Sequence, residues 1–161
     1  MAAQTGRTHF KHIDFIVDDS SGTLRSIPVN EINGVGLEYE ELDLTAWQDA
    51  IMGALSGHPN CEIDIKGPWD TTAAQAAGTL SGSHTILSGI NGGSTPLSLD
   101  VQVGVRQAWE SGEPQFGITS SATSGFLCRS YVPDLNTMTY SAKFSMFPGS
   151  SAPAWGTAAE S

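Results

Sequence analysis

Cysteine is scarce in this chain of 161 residues. There are two, Cys61 and Cys128, and they form no CxxC and fit no zinc spacing. Two buried free thiols are expected, with a single disulfide as the alternative. Long apolar runs are also missing. No stretch approaches the roughly 18 residues of a membrane span, and no signal-type apolar core is present. The expectation is a soluble protein made in the cytoplasm that binds no membrane, unless it leaves inside a larger assembly. Positive charge is the third scarcity: 7 Lys and Arg stand against 17 Asp and Glu, for a formal net charge of −10. That sign repels phosphates and anionic lipids, which excludes a conventional nucleic-acid reader or a lipid-surface module. Nucleophile and phosphate-cradling motifs are lacking as well: there is no GxSxG, GxxxxGK[ST] or GxGxxG. No catalytic residue, metal site or cofactor is expected, and the chain is not expected to be an enzyme.

What is there points to strands. The length suits one domain that buries a core without staples. Glycine reaches 18 residues and charged residues only 15%, a turn-rich, β-type composition. In "PLSLDVQVGVRQAW", Leu97, Leu99, Val101, Val103 and Val105 alternate with polar partners, the period of a strand with one buried face. "NTMTYSAKFSMF" does the same through Met138, Tyr140, Ala142, Phe144 and Met146, and "CEIDIKG" through Cys61, Ile63 and Ile65. Shorter strand candidates are "KHIDFIVDD", which breaks at the turn "DDSSG", and "LRSIPVN", where Pro28 marks an edge or an end. "GVGLEYEEL", with Val35, Leu37 and Tyr39 inward, and "GFLCRSYVP" complete the set.

Helix signals are few. Thr45 and Gln48 form a capping box ahead of Trp47, Ile51, Ala54 and Leu55, with Gly57 and Pro59 as the stop, so a helix is expected inside the segment 43–60. A second short helix is expected over about 83–90, from Ser83 to the "NGG" at Asn91, with Ile86, Leu87 and Ile90 as its apolar side. Both ends look like arms, 1–9 and 149–161, around a domain spanning 10–148. Trp155 in the second arm hints at docking on its own chain or a neighbour. Trp109 is expected in the core.

The densest acidic stretch, Glu38, Glu40, Glu41 and Asp43, lacks the paired geometry of glycosidase carboxyls and the spacing of an EF-hand. On a strand, Glu38 and Glu40 share one face, and Glu41 and Asp43 the other. His9 and His12 point to opposite faces. His58 and Cys61 are at best a weak Cys-His pair, and His84 reads as a neutral surface residue at a helix start.

Taken in order, "HIDFIVDD", "VNEINGVGLEYEELDLTA", "CEIDIKGPWDTT", "SGSHTILSGING", "PLSLDVQVGVRQAW", "YVPDLNTMTYSAKFSMFPG" and "APAWGT" resemble the tail tube (major tail) proteins of long-tailed, non-contractile phages. The resemblance lies in segment order and strand character over about residues 9–156. It implies a mainly β fold, a β-sandwich or barrel with one short flanking helix, two terminal arms and a long inter-strand loop at about 43–60, which is either an extended clasp or, on its helical pattern, a short packed helix. It also implies hexameric rings that stack into a hollow tube of the virion tail, joined by the N-terminal arm, the C-terminal arm and that loop. The tube carries tape-measure protein and then DNA, which passes without sequence-specific binding, and it joins tail terminator and distal tail proteins. Within that frame Glu38, Glu40, Glu62 and Asp64 are candidates for the lumen wall, where anionic groups keep DNA from sticking. Trp47, Glu41, Asp43, Arg7, Lys11 and Trp155 are candidates for subunit contacts. The alternatives are a tail-completion or connector ring protein, and a β-sandwich ligand-binding module unrelated to phage.

Overall fold

The computed structural model describes residues 7, 13–47, 50–51, 53–76, 79–104 and 112–157. Eleven strands and one helix are present among them: β1 (Ile13–Asp18), β2 (Leu24–Ile27), β3 (Glu31–Asn33), β4 (Glu38–Asp43), β5 (Ala54–Asn60), β6 (Glu62–Pro68), α1 (Ser83–Ile90), β7 (Leu99–Val103), β8 (Pro114–Ile118), β9 (Phe126–Asp134), β10 (Thr139–Met146) and β11 (Ala154–Thr157). The fold is mainly β and sandwich-like. A five-stranded sheet, β11-β8-β7-β1-β2, faces a four-stranded sheet, β3-β6-β10-β9, while β4 and β5 form a third sheet of their own. Every pairing between the named strands is antiparallel.

The alternating residues make the core. Phe15, Val17, Leu99, Val101 and Phe116 from the first sheet meet Ile63, Ile65, Tyr140, Ala142 and Phe144 from the second. Phe15 and Phe144 touch across the interface at 5.6 Å between ring centres. Each fully buried side chain of this size contributes about 2–3 kcal/mol. Cys61 and Cys128 are both buried and unpaired. Burial pushes the Cys128 thiol up to about 11 and raises that of Cys61.

Helix α1 runs where its pattern places it, with Ile86, Leu87 and Ile90 buried against β9 and β2. Its cap differs from the usual polar side chain. Gly82 holds that position with no side-chain bond, because a Cβ there would collide with Thr72 and Asp70. Ser83 Oγ instead ties the first turn to the chain before it, donating to the Pro68 carbonyl at 2.8 Å and accepting from Asp70 N–H at 3.1 Å. His84 is drawn inward, its Nδ1 3.0 Å from the Tyr131 hydroxyl.

Three expectations are refined. Of the two forms open to the segment 43–60 the extended one is taken, with no helix among its described residues: Leu42 pairs with Leu55 and Asp43 with Ala54, so the chain turns back on itself as a hairpin. Thr45 serves that turn instead of a helix start. Its N–H donates to Asp43 Oδ1 at 2.9 Å, and its hydroxyl accepts from Gly53 N–H at 2.8 Å. Cross-strand pairing outcompetes the local capping signal, as tertiary context commonly does. The arm after 149 is ordered in part: β11 pairs with β8 from Ala154↔Gly117 to Thr157↔Pro114. Tyr39 points to solvent rather than following Val35 and Leu37 toward the core, because its strand has left the sandwich. Trp109, His9, His12 and Lys11 lie outside the described residues.

Candidate assembly surface

The hairpin β4–β5 grows out of the four-stranded sheet. Residues 34–37 link β3 to β4, and Cys61 alone separates β5 from β6. Gly34 makes the junction, at φ +84° with its α-carbon pressed against the Glu62 carbonyl. Beyond it, β4 and β5 have no substantial packing partner but each other among the described residues, and all six residues of β4 are exposed. Tyr39, Leu42, Leu44, Trp47, Ile51 and Leu55 therefore hold apolar side chains in water, with Trp47 as exposed as a free residue and Ile51 at 83%. Exposed apolar side chains gathered in this way make the hairpin the candidate interaction surface.

A bulge interrupts the hairpin. Tyr39 pairs with Pro59 and Glu41 with Ser56, so Gly57 and His58 together oppose Glu40. The extra residue twists the ladder at that point. Hence Glu38 stays at the root while Glu40, Glu41 and Asp43 ride on the projecting arm.

The expected lumen residues separate accordingly. Glu38, Glu62 and Asp64 line one concavity of about 290 Å³ together with Asn33 and Asn60, and Glu40 is not part of it. Glu62 and Asp64 sit on the outer face of the four-stranded sheet, opposite Ser145 and Lys143. That face is not uniformly acidic. Lys66 lies 3.9 Å from Glu31, and Arg129 donates from Nε to Ser145 Oγ at 2.6 Å. A register shift between Lys143 and Phe144 inserts Arg129 as an extra residue in β9. The sheet thus presents a mixed-charge wall, with Lys66, Lys143 and Arg129 among its acids. This could not be read from β6 alone, because the bases arrive on partner strands.

Of the expected contact residues, Trp47, Glu41 and Asp43 are together on the hairpin, and Arg7 is exposed. Trp155 is elsewhere. It lies on β11 with its indole 5.1 Å from the Phe116 ring, so part of its surface is used within its own chain. His58 is exposed on β5 while Cys61 turns into the core, and no hydrogen bond joins them among the described residues. No group of three His, Cys, Asp or Glu able to hold a metal ion occurs among the described residues.

Two features of this surface escaped the sequence reading. One is the apolar turn between β9 and β10, where Val132, Leu135 and Met138 are exposed. The other is the sheet edge. The start of β9 is covered, since Leu97 and Phe126 exchange two backbone hydrogen bonds and Gly92 N–H donates to Cys128. From Ser130 to Asp134 no described residue pairs with that edge, and none pairs with the outer edge of β3.

No protein-family model matches the chain, and no curated protein is similar to it in sequence. Solved structures share its fold. The tube-terminating cap of the anti-feeding prophage superposes with a TM-score of 0.58 at 9% identity, over 98% of this chain and 95% of that one. The sheath/tube terminator of an extracellular contractile injection system, in its extended state, superposes at 0.56 and 9% identity, over 96% of this chain and 99% of that one.

Proposed function

We propose that this chain is a structural, ring-forming protein of a phage-tail-like tube and not an enzyme. The observation that carries the reading is the β4–β5 hairpin, a two-stranded arm whose apolar side chains are exposed among the described residues. The likeness in fold to a tube-terminating cap and to a sheath/tube terminator supports the same class of role.

The sheet is suited to lateral closure. Four antiparallel strands in the order β3-β6-β10-β9 end on edges that run in opposite directions. The next copy's β3 laid against Ser130–Asp134 of β9 continues the alternation, and a closed ring removes both open edges. In the full form implied by the sequence resemblance, hexameric rings stack into the tube of a non-contractile tail. That tube holds tape-measure protein during assembly and passes DNA during ejection. Its neighbours in the particle are terminator and distal tail proteins. Glu38, Glu62 and Asp64 belong to the lumen wall in this arrangement, with Lys66, Lys143 and Arg129 dividing it into bands of alternating sign. Glu40, Glu41, Asp43 and Trp47 go to the contact between subunits.

The two fold neighbours favour a second reading, in which a single ring closes the end of a tube. Electron micrographs of the purified protein over a range of concentration and salt separate the cases. Stacked rings or tubes are expected for a tube protein and isolated rings for a terminator. A species that stays monomeric throughout overturns both.

A further inference from the structure

The C-terminal end of α1 borders a cavity of about 710 Å³, bounded also by the β1–β2 turn and by segments 93–97 and 120–122. Its electrostatics have one sign. The helix ends without its usual donors: Gly92 N–H turns to the Cys128 carbonyl at 3.0 Å, and Gly93 N–H to that of Ile90 at 3.2 Å. The carbonyls of Ser88 and Gly89 are thereby left out of the helical ladder, and the last turn carries no basic residue. A helix end of this kind is partially negative. Asp18 lines the same cavity and is only 5% exposed. Its Oδ2 accepts from Ser98 N–H at 2.8 Å and from Ser120 Oγ at 3.4 Å, while Oδ1 has no donor among the described residues. A buried carboxylate ordinarily has a cation beside it. No Lys or Arg lines this cavity, and Arg25 is engaged with Asp19, Nε to Oδ2 at 2.9 Å. Asp19 has no oxygen to spare, since its Oδ1 accepts from Ser21 and Thr23.

We propose that this cavity binds a primary alkylammonium ion, its charged head between Asp18 Oδ1 and the end of α1 and its hydrocarbon stem along Ile90, Pro96 and Phe147. The chemistry of the walls selects this class. An anion is repelled by the carboxylate and by the helix end. A neutral ligand leaves the carboxylate unpaired. Calcium takes about six to eight oxygen ligands, more than one free carboxylate oxygen and a helix end supply, and no group of three His, Cys, Asp or Glu able to hold a metal occurs among the described residues. An ammonium head has three donors and needs few partners, and each methylene behind it gains by leaving water for the apolar wall. The exposed hydroxyl residues Ser20, Ser94 and Thr95, which also line the cavity, suit a second polar end on the same ligand. The site does not depend on the ring reading.

The test is calorimetric titration of the full chain with n-butylamine, 1-butanol and butyrate at one pH and one ionic strength. The amine should bind, and the alcohol and the acid of matched length should not. Asp18→Asn should weaken the amine by about tenfold or more, the loss expected for one charge-assisted hydrogen bond, while the other acids of the chain remain to report non-specific attraction. Ala122→Trp, at an exposed position on the cavity wall, should block the amine with Asp18 in place. Thermal unfolding without ligand shows which variants are folded, and Ala122→Trp decides the matter alone where Asp18→Asn is not. Failure of n-butylamine to bind, equal binding of 1-butanol, or undiminished amine binding by a folded variant overturns the site.

Discussion

The carboxylate of Asp100 lies against the backbone of Gly117, its partner across the β7–β8 ladder, where any Cβ would collide with Oδ1 and with the Leu99 carbonyl. The packing takes Asp100 partly out of water and sets it near Asp18. Burial, opposed in part by the Gln115 hydrogen bond and reinforced by the Asp18 charge, raises its carboxyl to about 6 from 3.8.

A pH dependence follows. Asp100 holds its proton in the folded state at pH values where the unfolded chain has lost it. Its contribution to stability is therefore full below about 4 and lost as pH rises through about 6. Asp100→Asn keeps an acceptor for Gln115 and removes the charge. It should stabilise the protein at pH 7 by about 1–2 kcal/mol, after allowance for solvent screening of a partly exposed group. Urea titrations at pH 4.5 and 7.5 check this. An equal change at both values would show that the carboxylate is unstrained.

Asp19 has the opposite sign. Burial alone would raise its carboxyl, but hydrogen bonds from Ser21, Thr23 and Arg25 outweigh it and hold the group at about 2. Stability from Asp19 is present above about 4 and lost as pH falls through about 2. Asp19→Asn should flatten the acid limb of the melting curve below pH 4 and leave the region around pH 6 to Asp100.

Glycine at the hairpin root makes a sharper comparison. Gly34 and Gly36 both have positive φ, but a Cβ at Gly34 would strike the Glu62 carbonyl while one at Gly36 meets open space. Gly36→Ala should cost the backbone strain alone, about 1–2 kcal/mol. Gly34→Ala should cost several kcal/mol and disturb the β3–β6 ladder. Thermal unfolding of the two variants side by side measures the difference, and equal losses would discount the close approach.

Removal of β11 uncovers the fully buried Phe116 and the outer edge of β8. Trp155→Ala should lower stability by about 1–2 kcal/mol, from lost apolar contact and one aromatic pair. Truncation after Pro153 should do so by more and raise binding of a hydrophobic dye. A truncated chain that melts with the full one would mean the strand adds nothing to the sandwich.

Tyr131 and His84 tie β9 to the helix, their hydrogen bond lying partly buried at 3.0 Å. Tyr131→Phe keeps the ring and removes the hydroxyl, so the loss should be about 1 kcal/mol. A double-mutant cycle with His84→Ala isolates the pair; a coupling of zero would mean that the contact has no energetic weight.

Much of the sandwich was legible because its signal is local and periodic. Ile63, Ile65, Tyr140, Ala142 and Phe144 alternate with polar residues, and each is buried. The helix at Ser83–Ile90 was legible from three apolar positions and a terminal Asn-Gly-Gly. What failed was whatever depended on a distant partner. Thr45 carries a helix-start signature, yet Gly53 claims its hydroxyl. "GFLCRSYVP" looks apolar on both sides because the extra residue Arg129 changes the strand's parity halfway. "PQFGI" and "AWGT" are too short to show a period, and they become strands by pairing with each other and with β7. The acids of the hairpin were visible, but the bases beside Glu62 and Asp64 lie on strands far along the chain.

Only Cys61 stands between β5 and β6, so the chain runs from the arm almost without interruption into a strand flanked by β3 and β10. A pull on the arm along its length therefore enters the body as shear on the seven residue pairs between β6 and β10. Bonds loaded side by side share a force, whereas bonds at a peeling edge meet it one at a time. The arm is mounted on a strand suited to bear axial tension.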